Sequence, residues 1–262
     1  MKRVMTAAAA MAVVVGMAST ASAASVLRFS TGSTFPLDAT TLTVTDNGAG
    51  DNNLDMDVIS TNVSSAAPFQ GFSFSVSTGT SNEATTSSGV SSILVNVQDL
   101  SYVGPTGSNA TLFIQFTDTN LVNPGSAGDL MLSSSSYSSN DVLPTPISVQ
   151  FMSFADPNNA QFGTTAVLGN YNCVYSVTGG TPATGSCAAN QSGSFNRTGP
   201  SFSLTQMLAI NLQAGNSLAN ASSSTAVSAA PIPEPGSLLL LGSGLAAASA
   251  AARRRRAKQA QA

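Results

Sequence analysis

The 262-residue chain has no His and no Trp, and only 8% of its residues are charged, where an ordinary globular protein has about 25%. Without His, this chain alone cannot build a Ser-His-Asp or Cys-His nucleophilic site, an H-E-x-x-H zinc site or a haem on an axial His. No G-x-S-x-G occurs either. With no Trp and four Tyr, the stacking platforms that carbohydrate-cleaving enzymes use are scarce. Basic residues almost vanish from the middle of the chain. Lys2 and Arg3 open it, Arg253, Arg254, Arg255, Arg256 and Lys258 close it, and between Ala24 and Ala230 only Arg28 and Arg197 stand against ten Asp and Glu83, a net charge of -9. A body with no Lys and no basic stripe argues against nucleic acid, whose phosphates need cations, and equally against anionic membrane surfaces.

What is present is small and polar. There are 41 Ser, 26 Thr and 19 Asn residues, a third of the chain, alongside 42% apolar residues, 22 Gly and 12 Pro. That is too apolar and too uncharged for wholesale disorder. The hydrophobic period is two: Leu42-Val44, Phe72-Phe74-Val76, Val95-Val97, Leu112-Ile114-Phe116, Ile147-Val149-Phe151 and Tyr171-Cys173-Tyr175-Val177, as half-buried strands require. Phe202, Leu204, Gln206, Leu208, Ile210 and Leu212 form the longest such row, with one polar interruption on its inward face. Turn clusters such as D-N-G-A-G-D and A-D-P-N-N separate the runs. Eight to eleven short strands so punctuated predict an all-β fold, an antiparallel β-sandwich of jelly-roll or immunoglobulin-like kind. A β-solenoid is the alternative, weakened by the lack of a fixed repeat.

Both ends read as addresses. M-K-R, an apolar stretch from Val4 to Met17 and T-A-S-A make residues 1–23 a secretory signal peptide with cleavage after Ala23. About 14 apolar residues rise only about 21 Å, short of a bilayer core of about 30 Å. The other end runs P-I-P-E-P-G-S-L-L-L-L-G-S-G-L-A-A-A-S-A-A-A-R-R-R-R. A helix over 237–252 would rise about 24 Å, and the four Arg would hold its far side in the cytoplasm. The expected organisation is therefore a signal peptide (1–23), a β-sandwich body (24–212), a Ser/Ala-rich flexible linker (213–230) and a C-terminal segment (231–256) with a short transmembrane helix.

Pro233, Glu234 and Pro235, then a short hydrophobic helix, then Arg253, Arg254, Arg255 and Arg256, together resemble the PEP-CTERM sorting signal of Gram-negative bacteria that make extracellular polysaccharide. The same tail also goes under the name of an ice-binding-protein C-terminal domain, which describes the tail and not an activity. Ile232 stands where Val is common, and the second half of the helix is Ala-rich where Leu is usual. The resemblance implies cleavage near the P-E-P by an exosortase. Signal peptidase and exosortase are then the expected partners, the inner membrane a transient one, and the cell surface or extracellular matrix the destination.

Candidate chemistry in the body is sparse. Asp46, Asp51, Asp55 and Asp57 place four carboxylates in twelve residues, among Asn47, Asn52 and Asn53, a density of hard oxygen ligands that suits Ca²⁺. The EF-hand pattern fails, with Met56 where Gly is required and Asn62 where Glu is. The plain alternative is a polar loop whose Asp and Asn cap their own turns. Asp55 and Asp57, at i and i+2, would share a strand face about 7 Å apart as a glycosidase pair. Cys173 and Cys187 are the only cysteines, and an even pair in an exported chain predicts a disulfide. Thr41, Thr43 and Thr45 form a single T-x-T-x-T row, too narrow for an ice-binding array. The expectation is a non-enzymatic, exported surface protein without a cofactor, associated with extracellular polysaccharide or biofilm. A carbohydrate- or calcium-binding module is the alternative, and a secreted hydrolase a remote one.

Overall fold

The computed structural model describes residues 25–31, 41–82, 89–122, 124–125, 127–143, 147–175, 183–230, 243, 245 and 249. The signal peptide with Ala23, the P-E-P residues 233–235 and Arg253 to Arg256 lie outside the described residues. Of the expected 237–252 helix, Ser243, Leu245 and Ser249 are described, each helical. Among the described residues no helix is long and apolar enough to cross a membrane.

The body is an antiparallel β-sandwich of two six-stranded sheets. Its strands are β1 (Val26–Thr31), β2 (Thr41–Thr45), β3 (Ser60–Val63), β4 (Phe72–Asn82), β5 (Val90–Tyr102), β6 (Asn109–Leu121), β7 (Leu130–Leu143), β8 (Ile147–Asp156), β9 (Ala166–Tyr175), β10 (Ala183–Asn196), β11 (Phe202–Gln213) and β12 (Ser217–Ala229). One sheet has the order β2-β1-β6-β11-β8-β9, the other β10-β7-β12-β5-β4-β3. This excludes the solenoid, and several strands are far longer than the short ones expected, β7 and β10 having 14 residues each.

The period-two rows do what they predict. Phe29, Leu112, Ile114, Phe116, Leu204 and Leu208 of the first sheet are fully buried against Phe72, Phe74, Ile93, Val95 and Val97 of the second. Burial of this kind stabilises by roughly 1.5–3 kcal/mol per large side chain. The core is not uniformly apolar. Gln206, fully buried on β11, donates to Thr225 Oγ1 at 2.7 Å and accepts from the Ser223 hydroxyl. Ser135 bonds Thr225 at 2.8 Å and Ser153 at 3.1 Å, and Tyr137 hydroxyl also reaches Ser153. The polar interruption of the Gln206 row is thus the centre of a hydrogen-bonded seam between the sheets, satisfied as buried polar groups must be.

The expected linker is corrected here. Residues 217–229 form β12, paired with β7 on one side and β5 on the other. Its inward residues, Leu218, Ala221, Ser223, Thr225 and Val227, are buried. Small residues conceal this alternation from a hydrophobicity count, yet a strand facing Gln206 needs side chains of that size and polarity. The body therefore continues past residue 212 to Ala230, whose N–H donates to Leu130 O at 2.8 Å.

Cys173 on β9 and Cys187 on β10 form a disulfide with Cα atoms 6.0 Å apart. Because β9 and β10 are edge strands of opposite sheets, the bond staples one open side of the sandwich. Gln191 adds to the closure: its amide accepts from Asn170 N at 2.6 Å and donates to Asn170 O at 2.7 Å, occupying both backbone groups of an edge residue that would otherwise invite another strand.

Candidate functional site

Both ends of the described body lie at one rim of the sandwich. Val26 pairs with Thr45 and Thr117, and Thr117 with Thr205. On the other sheet, Ala229 pairs with Met131 and Met131 with Phe195, whose ring lies 5.4 Å from that of Phe202. The loop from Asp46 to Ile59 leaves β2 at this same rim.

Within that loop the four candidate carboxylates play different parts. Asp51 accepts from Asn47 N at 3.0 Å, Asn53 N at 2.9 Å and Ser60 N at 2.9 Å, and Asn53 Oδ1 accepts from Asp55 N. Asp51 thus organises the loop, as the plain reading holds. Asp55 is exposed. Asp46 Oδ2 accepts from Asp57 N at 3.2 Å, while Asp46 Oδ1 is buried without a hydrogen-bond partner. Asp57 has a left-handed backbone (φ 65°), which Asp tolerates better than most residues. Burial, and then the charge of Asp46, push its carboxyl above the usual carboxylate range. The expected strand face shared by Asp55 and Asp57 does not form: the chain turns at 55–57, and β3 begins only at Ser60.

A fifth carboxylate, not selected from the sequence, feels the charge of Asp57. Asp118 on β6 has the inward phase of Leu112, Ile114 and Phe116 and is fully buried. Its Oδ1 accepts from Ser25 Oγ at 3.3 Å, and its Oδ2 is buried without a partner. Burial, then the charge of Asp57, raise its pKa from 3.8 to about 7, against the opposing pull of the Thr80 and Ser25 hydroxyls and the Thr119 N–H. Thr80 also ties β4 to the loop, donating from its N–H to Asp57 O at 3.1 Å. Only the fold could reveal this neighbour, because 61 positions separate Asp57 from Asp118. Among the described residues, no three His, Cys, Asp or Glu side chains stand preassembled as a metal site.

The outer face of the second sheet is of another kind. Ser186, Asn140, Asn220, Gln98, Ser75 and Asn62 run in register across its six strands. The adjacent row carries Ser138, Ser222, Asn96 and Ser77. Neither row holds a charge. The Thr41, Thr43 and Thr45 row is exposed on the edge strand β2.

Beyond the rim, the stretch after Ala230 carries the expected sorting residues. Residues 231–256 match the family model of the PEP-CTERM protein-sorting motif. The chain bears a PEP-CTERM sorting motif. The motif implies an exosortase as processing partner and export through the cell envelope to the surface. The PEP-CTERM match begins one residue after Ala230, so the sandwich and the motif abut without a stalk. A comparison of the whole chain with curated proteins finds no match.

Proposed function

We propose that the protein is a non-enzymatic surface component of a Gram-negative cell, held at the inner membrane as an intermediate, cut by an exosortase near Pro233-Glu234-Pro235, and retained in extracellular polysaccharide or biofilm. The observation that carries this reading is the PEP-CTERM match at 231–256 directly behind the closing strand β12. A cut there leaves every described strand of the sandwich in the product. Before the cut, the seven residues that follow Ala230, as far as Ser237, span at most about 25 Å, so the body stands close to the membrane on the rim that carries both its ends. The uncharged Ser, Asn and Gln rows of the second sheet support the polysaccharide partner: neutral hydroxyl and amide groups exchange hydrogen bonds with water for hydrogen bonds with a polyhydroxylated polymer, each worth only about 0.5–1.5 kcal/mol net, so a broad row of them is what such binding needs. The absence of His, and the separation of Asp55 from Asp57 on a turn, support a role without catalysis.

Mass spectrometry of surface material tests the processing. The mature protein is expected to lack both 1–23 and 253–256. Deleting the host exosortase, or changing Glu234→Ala with Pro235→Ala, should leave the longer form in the inner membrane. Surface peptides running through Leu245 into the Arg cluster would overturn the reading. Enzymatic removal of extracellular polysaccharide should release the processed protein into the medium, and protein that stays cell-bound would refute the polysaccharide association.

A further inference from the structure

We propose that an apolar trough on the outer face of the second sheet, formed by Val90, Leu132, Ala226 and Ser228 where β12 leaves the sandwich, is the surface on which the exosortase seats the folded body before it cuts. This rests on the processing reading above. The trough has a volume of about 230 Å³. Strand register builds it. Ser228 on β12 stands between Leu132 on β7 and Val90 on β5, and the next outward residue, Ala226, stands between Ser134 and Ser92. Ala226 and Ser228 are too small to cover the leucine and valine on either side, so a hollow opens along β12. Leu132 is 39% exposed, and Leu130, one outward position nearer the rim, is 44% exposed. The Leu130 carbonyl accepts from Ala230 N at 2.8 Å, so the chain departs for the sorting motif beside these two leucines. Farther along the same strand the outward residues are Ser136, Ser138 and Asn140. On β7 the apolar side chains thus gather at the exit end of a face that is elsewhere hydroxyl and amide.

The occupant follows from reach. Ser228 lies five residues before Pro233 and seven before Pro235, so even a fully extended chain holds the bond to be cut within about 25 Å of the trough. A folded domain of about 100 residues has a radius of gyration of about 13 Å. An enzyme of ordinary size that closes on that bond must therefore bring its own body against this end of the sandwich. An exposed apolar hollow is what a protein partner fills with a side chain. A bilayer is the other candidate for the rim, and charge disfavours it. The body has no Lys; Arg28 is engaged by Gln115 and Arg197 by the carbonyls of Val122, Pro124 and Gly125, which leaves lipid phosphates without a cationic partner. Because Val90, Leu132 and Ser228 come together only when β12 has paired with both neighbours, docking in the trough makes cleavage wait for a folded body.

Pulse-chase of the full chain in its exosortase-bearing host tests this, read as conversion of the long form to the cut form. Leu132→Asp should slow conversion about tenfold, the scale on which one anchoring side chain acts at an interface. Asn140→Asp puts the same charge on the same strand and face, farther from the exit, and should leave the rate unchanged. The Tm of the Leu132→Asp chain in detergent should match that of the unaltered protein, because Leu132 lies outside the core; should it fall, Ser228→Gln, which fills the trough with a neutral side chain, serves the same comparison. A photoreactive benzoylphenylalanine in place of Leu132 should form an adduct that contains the exosortase. Unaltered conversion of the trough variants, equal slowing by Asn140→Asp, or adducts with lipid or with a second copy of this chain in place of the exosortase would overturn the proposal. The chain carrying Glu234→Ala with Pro235→Ala separates the two readings. If that chain is converted at the normal rate, the processing reading itself fails; if it is blocked while the trough variants convert normally, only the docking fails.

Discussion

Asp118 turns its carboxyl into the sandwich between Ser25, Thr80 and Asp57, where burial and like charge favour the protonated form. Unfolded, it would lose its proton near 3.8; folded, it keeps the proton to about 7. Between these values the folded state binds more protons than the unfolded one, so stability must fall as pH rises and level off above about 7. At 1.36 kcal/mol per pH unit the loss is at most roughly 4 kcal/mol. Melting in EGTA across this range should show the decline, and Asp118→Asn should flatten it, since an amide does not titrate. A variant that declines as steeply as the unaltered protein would place the titrating group elsewhere. Nothing in the local sequence T-D-T marks this Asp. Its importance comes from Ser25 just ahead of β1, Thr80 on β4 and Asp57 in the β2–β3 loop, which only pairing in three dimensions supplies. Gln206 is the converse: its place as a polar member of an inward row was legible, and only its partners Ser223 and Thr225 were not.

At the scale of elements, strands with large alternating residues were legible because burial selects Phe, Leu, Ile and Val every second position. Strands β7, β10 and β12 were hard to read because Ser, Ala and Gly occupy much of both faces. The β9–β10 side adds a constraint of its own. A Cβ on Gly193 would come within 2.7 Å of the Leu168 backbone, so β10 approaches β9 too closely for any side chain there. The disulfide holds that approach. Closing a loop of sequence separation 14 should contribute about 3 kcal/mol through the restricted unfolded chain. Replacing both cysteines by Ser is expected to lower unfolding free energy by about that amount, measured by denaturant titration without reductant. An unchanged midpoint, or two free thiols in protein exported by the host, would contradict it.

At the scale of the molecule, β12 makes the C-terminal boundary of the fold and the start of the sorting motif nearly one point. Removing residues 214–262 takes out a strand with partners on both sides, together with the Ser223 and Thr225 ends of the inter-sheet seam. That truncation should yield no cooperative unfolding transition. Ending the chain at Ala230 should preserve the transition of the full-length protein. Calorimetric scans of the two decide between a structural strand and a dispensable stalk; a cooperative transition in the shorter chain would restore the stalk.

The sequence by itself determined the sorting motif and the class of fold. A sorting motif is read as a linear order of residue types, and a period of two needs no partner to be visible. The disulfide was equally legible, because only one pair could form. Tertiary structure alone decided where the body ends, which carboxylates share a neighbourhood and which merely cap a loop. Those outcomes depend on strand register across two sheets, where residues more than 60 positions apart become neighbours and a Ser becomes interior solely because a Gln faces it.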